Sequence, residues 1–326
     1  MRNGKVTQSI LNRSVLKPIR NKENKKSAAV GTDCAFCMTS NGDYVLTSSC
    51  PVSLNTVNKA AYAITGAANN LYAMGASSVD MITLTVMLSQ DAEEDELKSI
   101  MRNAAEAAAL HNTSIYGGHT EVTDGSIRTT VVATAIAHVT AEDICMPGRV
   151  QPGDGIIVTK WVGIEGTAML AQNKREELIS RYPAPFIDEG LNLYNYMSIN
   201  SEAAVAIKSG VSAMHDVSGS GIFAALWEMA EGANVGLEVN LKEIPIRQET
   251  IEICEYFELN PYEMLSGGSL LIASSKPETV VEALHQNGIP AQIIGKYVEG
   301  KGRIIYNEEE SRYLDKPVMD EIHKVL

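Results

Sequence analysis

Four short stretches pair glycine with side chains able to hold cations, phosphate or protons: VGTDC at 30–34, GGHTEVT at 117–123, VGIEGTA at 162–168 and HDVSGSG at 215–221. Glycine removes side-chain bulk, so backbone N–H groups can approach an anion closely. Where such a turn opens a helix, as the last two do on their pattern, unpaired N–H groups and the helix dipole favour phosphate. Carboxylates sit in every one of these stretches, and carboxylate oxygens are what Mg2+ takes when it bridges phosphates. One such turn is weak evidence; four in one chain point to a phosphate-bearing ligand. Neither the GxxxxGK[ST] loop nor the GxGxxG fingerprint occurs.

The remaining reactive side chains divide between chemistry and packing. Asp216 and Ser218 fit a loop that caps the following helix and equally one that lies beside a nucleotide. Glu165, Gly166 and Thr167 form a turn suited to binding. His215 adjoins Asp216 but has no evident third partner for a triad, which makes it structural; His111 closes a helix, where a hydrogen-bonding group is expected. Cys34 and Cys37, with Cys50 nearby, raise a metal or redox reading. Residues three apart on a strand point to opposite faces, however, and the pair does not open a helix. Cys254, Trp227 and Met229 follow core packing.

Elements must position these residues, and the hydrophobic pattern outlines them. After a basic segment at 17–26, readable as a solvated arm or as a flap over an anionic ligand, DCAFCM and YVLTSS form strands joined by an Asn41-Gly42 turn. Helices follow over 56–74 and 92–110, separated by the strand VDMITLTVML and succeeded by TSIYGG and RTTVVATAIAHV. The order is ββαβαββ, an α+β half. MPGRVQPGDG marks a junction, and beyond it strands and helices alternate as in an α/β half. The expected domains are an arm at 1–29, a first domain at 30–148 and a second at 149–326.

Composition narrows the class. At 326 residues with 45% hydrophobic content, the chain can bury a sizeable core. A formal charge of −13 disfavours nucleic acid as a partner. Apolar runs such as MITLTVML fall far short of the ~20 residues of a membrane helix. With no signal-peptide pattern and five cysteines, a cytoplasmic protein with reduced thiols is expected.

The ordered series GTDCAF, ANNLYAMGA, GGHTEVT, KWVGIEGTAMLA, MHDVSGSGIFAALWEMAEGANVGLEV and ELNPYEMLSGGSLLIAS, from about Val30 to Val298, resembles the AIR synthase superfamily (PurM-like), and within it the HypE-like hydrogenase-maturation branch. The resemblance implies a PurM-like two-domain fold: an N-terminal domain that forms a barrel with its twin in a homodimer, and a C-terminal α/β sandwich. It implies ATP and Mg2+ between the domains, and phosphorylation or dehydration of an amide- or carboxylate-type substrate. Carried over to this sequence, the site comprises Asp33 as metal ligand, and Asp33, His119 and Glu121 as catalytic groups. Gly31, Asn69, Asn70, Gly117, Gly118, Thr120, Glu165, Gly166, Thr167, Asp216 and Ser218 would bind the cofactor.

The acidic set of the family is reduced here. Thr32, Cys50, Asn70 and His119 stand where the family pattern places an acid, each change removing negative charge and lowering the expected Mg2+ affinity. Asp33, Glu121 and Asp43 remain to build a site. The chain ends DEIHKVL, without the terminal cysteine that HypE modifies. Three readings stand: an ATP-dependent enzyme of the HypE-like branch, a non-catalytic homologue that binds a nucleotide or partner, and a thiol-based metal or redox protein using Cys34, Cys37 and Cys50.

Overall fold

The structure, a computed structural model, describes residues 4–22, 28–125 and 127–326. It starts with α1 (Gln8–Ile10), a π-helical stretch Leu11–Leu16 and α2 (Lys17–Ile19). The end of the basic segment lies outside the described residues. There follow β1 (Ala35–Met38), β2 (Tyr44–Val52), α3 (Lys59–Ala73), β3 (Met81–Leu88), α4 (Glu94–Leu110), β4 (Ile115–Val122) and β5 (Thr130–Val139). These five strands form one sheet in the order β1-β2-β5-β3-β4, the expected ββαβαββ unit.

Strand alternation decides which face is closed. In β3, Ile82, Leu84, Val86 and Leu88 are buried while Met81, Thr83, Thr85 and Met87 are half-buried. β5 repeats the pattern, with Val131, Ala133, Ala135 and Ala137 buried. The buried rows lie under α3, whose inward residues are mostly alanine, so the helix seats closely on the sheet. The opposite face, carrying Met81, Met87, Val132 and Ile136 among threonines, is left half-buried.

β4 departs from expectation. The glycine pair in IYGGHTEV reads as a turn at a strand end, yet the strand continues through it to Val122, parallel to β3, with Gly118 opposite Leu84 and His119 opposite Thr85. A Cβ at Gly118 would stand 1.8 Å from the Leu84 carbonyl oxygen, at φ +154°. The glycine is there for close strand approach, not for a turn.

The second half contains β6 (Gly155–Thr159), α5 (Ile164–Asn173), α6 (Arg175–Ile179), α7 (Ala184–Asn192), α8 (Asn200–Ser209), β7 (Ala213–Val217) and α9 (Gly221–Ala233). It continues with β8 (Gly236–Asn240), α10 (Gln248–Tyr256), β9 (Ser269–Ser274), α11 (Pro277–Gln286), β10 (Ala291–Val298), β11 (Arg303–Asn307) and β12 (Glu310–Tyr313). Its sheet runs β12-β11-β8-β10-β6-β9-β7, with β11 and β8 parallel and the other neighbours antiparallel. β6, β7 and β9 are buried along their whole length, because helices cover both faces: Ile222 and Leu226 of α9 on one side, Ile164, Ala168 and Val280 on the other. α3 of the first half packs against β7 of the second, and one core cluster runs through both. Among the described residues, no helix is long and apolar enough to cross a membrane.

Candidate functional site

The α3–β7 contact brings together side chains that the sequence keeps far apart. Asp33, in the loop before β1, ion-pairs with His215 of β7: Oδ1 lies 2.8 Å from Nδ1, and both side chains are 6% exposed. On the other side of the ring, Nε2 lies 3.4 Å from Glu228 of α9. Glu228 in turn accepts from Gln8 Nε2 at 2.7 Å. Gly31 makes this docking possible, since its backbone, at φ +79°, rests against the Glu228 carbonyl, where a Cβ would come within 2.4 Å. Burial alone would lower the His215 pKa, but Asp33 and then Glu228 raise it to about 10, so the ring is an imidazolium. Burial works against Glu228 as well, yet Lys5 and His215 hold it below the ordinary carboxylate value.

Asp216 is the unbalanced member. It is 2% exposed, its backbone N–H donates to Asp33 at 3.4 Å, and neither of its carboxylate oxygens has a hydrogen-bond partner among the described residues. Burial, reinforced by Asp33, drives its pKa well above the ordinary value, with only partial relief from His215. Buried carboxylates are normally hydrogen-bonded or paired with a cation. Without such a partner, burial favours the protonated form of Asp216.

Glu165, in the first turn of α5, points inward onto the Gly267 N–H, which donates to Oε2 at 3.2 Å. Its desolvation and the neighbouring Asp320 raise its pKa to about 7. Cys50 of β2 lies within electrostatic reach of Glu165 and Asp216. Its Sγ lies 2.8 Å from where a Cβ on Gly66 of α3 would stand, and burial, with Glu165 and Asp216, pushes the thiol up to about 12. Lys5 reaches in from the arm, its Nζ donating to the Gly219 carbonyl at 3.4 Å.

Several sequence-derived site residues make structural contacts. Asn69 is fully buried: its Nδ2 donates to the Met197 carbonyl at 2.8 Å, and its Oδ1 accepts from Ile199 N–H at 3.1 Å, pinning α3 to the second half. Asn70 donates to Ser48 Oγ at 2.9 Å. Thr167 donates to Thr250 Oγ1 at 2.8 Å, and the Gly166 N–H bonds the Leu265 carbonyl. Ser218 accepts through its carbonyl from the Gly221 N–H at the start of α9. That helix start also receives the chain's own Asp320, which accepts from the Ser220 N–H at 2.5 Å.

His119 and Glu121 do not join this cluster within one chain. They pair with each other at 3.0 Å on exposed β4, together with Gly117, Gly118 and Thr120. β4 and β1 are opposite edges of a five-stranded sheet, ~19 Å apart at four strand spacings. Asp43 sits in the β1–β2 hairpin, accepting from Asn41 at 2.9 Å at the far end of β1 from Asp33. The thiols are dispersed too: Cys34 is buried, Cys37 is exposed opposite Val45, and no group of three metal-ligating side chains converges among the described residues. His111 is structural, held by Tyr72 at 3.1 Å and Thr65 at 3.3 Å, with burial lowering its pKa to about 4.

Reading the sequence alone missed His215 as a participant, and missed Glu228 and Lys5 altogether. Glu228 left a signal: in GIFAALWEMA it falls on the buried phase of the helix, one turn after Ala224. Lys5 left none.

Comparison with known proteins accords with this architecture. Residues 22–139 match the N-terminal domain model of AIR synthase related proteins, and residues 151–307 match the C-terminal one. A putative hydrogenase expression/formation protein of Methanocaldococcus jannaschii is 28% identical over 270 residues, covering 81% of this chain and 77% of its own. Carbamoyl dehydratase HypE of Escherichia coli is 26% identical over 274 residues, with the same coverages. A crystal structure of the hydrogenase maturation protein HypE in complex with ATP superposes with a TM-score of 0.73 at 17% identity, over 98% of this chain and 97% of that one.

Proposed function

The chain belongs to the AIR synthase related protein family, and from that premise we propose that it binds ATP with Mg2+ at the junction of its two domains and transfers the γ-phosphoryl group to an oxygen of an amide- or carboxylate-type substrate. The observation that carries this reading is Asp216, a buried carboxylate with two unpartnered oxygens beside Asp33. Two carboxylates suit Mg2+ in its phosphate-bridging mode, in which phosphate oxygens and water complete the coordination. When bound, the ion would neutralise charge that develops on the phosphoryl oxygens. The names of the relatives support the nucleotide, and they point to hydrogenase maturation as the setting.

Each side chain of the cluster then has a task. Asp33 and Asp216 would hold the metal, His215 fixes the position of Asp33, and Lys5 supplies positive charge at the mouth. His119 and Glu121 would contribute from a second copy, since their strand lies at the edge of a sheet whose half-buried apolar face is free to meet a twin. That arrangement makes the protein a homodimer with shared sites.

A second reading, a nucleotide- or partner-binding homologue without turnover, draws on one observation: Asp33 is already neutralised by His215. Calorimetric titration with ATP, with and without Mg2+, followed by an assay of ADP release, separates the two. Mg2+-dependent binding with ADP release supports the enzyme; binding without release under any acceptor supports the second reading. No heat in either titration would overturn the enzyme reading and the nucleotide-binding form of the second.

A further inference from the structure

The N-terminal arm, residues 4–22, is held to the rest of the chain by polar contacts more than by packing. Its apolar side chains Val6, Val15 and Ile19 are exposed, and its one buried residue is polar: Gln8, 7% exposed. A segment that buries so little apolar surface gains little from the hydrophobic effect and opens easily. Beside Gly4, whose backbone lies against the His323 ring, two contacts of the arm reach the site. Lys5 lies on Gly219, and Gln8 Nε2 donates to Glu228 Oε1 at 2.7 Å. Gln8 Oε1 is buried without a partner among the described residues, a desolvation penalty that makes this seat shallow.

Glu228 is where the seat meets the rest of the cluster. Its backbone carbonyl supports Gly31 of the loop that carries Asp33, and its side chain stands between Gln8 and His215. A chain of side-chain contacts therefore runs from Gln8 to Glu228 at 2.7 Å, from Glu228 to His215 at 3.4 Å and from His215 to Asp33 at 2.8 Å. Gln8 takes one oxygen of Glu228 and leaves the other, Oε2, for the imidazole. The ring, held on both sides, fixes Oδ1 of Asp33. In a buried polar network each contact orients the next, and the arm supplies the element with two states, docked and lifted.

We propose that Gln8 and Glu228 are positioning residues that act on Asp33 through His215, so that docking of the arm and occupancy of the Asp33–Asp216 site are linked equilibria. This rests on the nucleotide reading above and adds a regulation to it. A lifted arm would release Glu228 Oε1, loosen the ring and withdraw Lys5 from the mouth, leaving a site that holds its metal-nucleotide less tightly. Linkage is reciprocal: the factor that a docked arm adds to nucleotide affinity is the factor that bound nucleotide adds to docking of the arm. The arm thereby becomes a point at which the site can be switched from outside it.

The test follows the arm and the site separately in the full chain. Hydrogen exchange over residues 4–19 is measured by mass spectrometry with and without Mg-ATP, and Mg-ATP affinity by calorimetry, for the wild type, Gln8→Met, Glu228→Ala and the double variant. Gln8→Met keeps the volume of the side chain and removes its donor. In the wild type, Mg-ATP should slow exchange in the arm by at least about fivefold, the lower end of typical couplings between sites. Gln8→Met should speed exchange in the nucleotide-free protein and weaken Mg-ATP binding by at least about the same factor. In the Glu228→Ala background, Gln8→Met should add nothing, because the contact it removes is already gone. Should Glu228→Ala fail to fold, the wild type and Gln8→Met decide the matter, since Gln8 lies in an arm that contributes little to the core. Arm exchange that ignores Mg-ATP, or a Gln8→Met variant with wild-type arm exchange, would overturn the proposal. So would a loosened arm with Mg-ATP affinity within about twofold of wild type, or additive effects in the double variant. Absence of Mg-ATP binding by the wild type would instead overturn the nucleotide reading on which the link depends.

Discussion

Two of the carboxylate–histidine pairs are of nearly equal length, Asp33–His215 at 2.8 Å and His119–Glu121 at 3.0 Å. The first has both side chains 6% exposed; the second has them 62% and 46% exposed. Burial is the whole difference. In the first pair it has concentrated charge, lifting His215 to about 10 and driving Asp216, whose carboxylate oxygens lack a hydrogen-bond partner among the described residues, well above the ordinary carboxylate range, whereas the second pair lies in solvent, where such contacts are worth little. Under the proposed function, the buried pair is the preformed half of the site, and the exposed pair would contribute only when another surface covers it.

The largest effects of breaking this contrast belong to the buried pair. His215→Leu strands Asp33 and Glu228 without their cation, and breaking a buried ion pair costs about 3–5 kcal/mol; denaturant unfolding should register a loss of that size. Next comes the brace beside it. Asn69→Ala leaves the Met197 carbonyl and the Ile199 N–H unsatisfied at the domain junction, with an expected loss of about 1–3 kcal/mol. A titration gives a third, graded effect. His111 is buried as the neutral ring, so its folded pKa, about 4, lies below the ordinary 6.5. Its contribution is therefore present above pH 6.5 and is lost as pH falls through about 4, and His111→Gln should flatten the stability profile over that window. Smallest is the exposed pair: His119→Ala and Glu121→Ala should each change stability by no more than about 0.5 kcal/mol. A change of several kcal/mol there would show that β4 is already covered in the protein's native assembly.

The contrast also explains what could be read from the sequence. β3 was legible because Ile82 to Val86 alternates apolar residues with threonine inside a short apolar run, and α3 because its small residues recur at three- and four-residue spacing. Asp33, Glu165 and Asp216 were legible because each sits in a glycine stretch. β4 was only half legible: two glycines look like a turn, and nothing local announces that Gly118 must clear the Leu84 carbonyl. The β11–β12 hairpin escaped because its loop, Glu308-Glu309, lacks the usual glycine or asparagine, although Glu308 adopts φ +57°. Lys5 and Glu228 escaped for a different reason. They enter the cluster from 223 positions apart in the chain, and only the packing of α9 against the Gly31 loop brings them to one place.

The proposed function has Asp216 and Asp33 holding a divalent cation that carries ATP. The most direct measurement is calorimetric titration of ATP into wild type and Asp216→Asn, each with and without Mg2+. The expected result is tight binding by the wild type that depends on Mg2+, and loss of that Mg2+ dependence in Asp216→Asn, with the fold intact by circular dichroism. Equal affinity of the two proteins for Mg-ATP would contradict it.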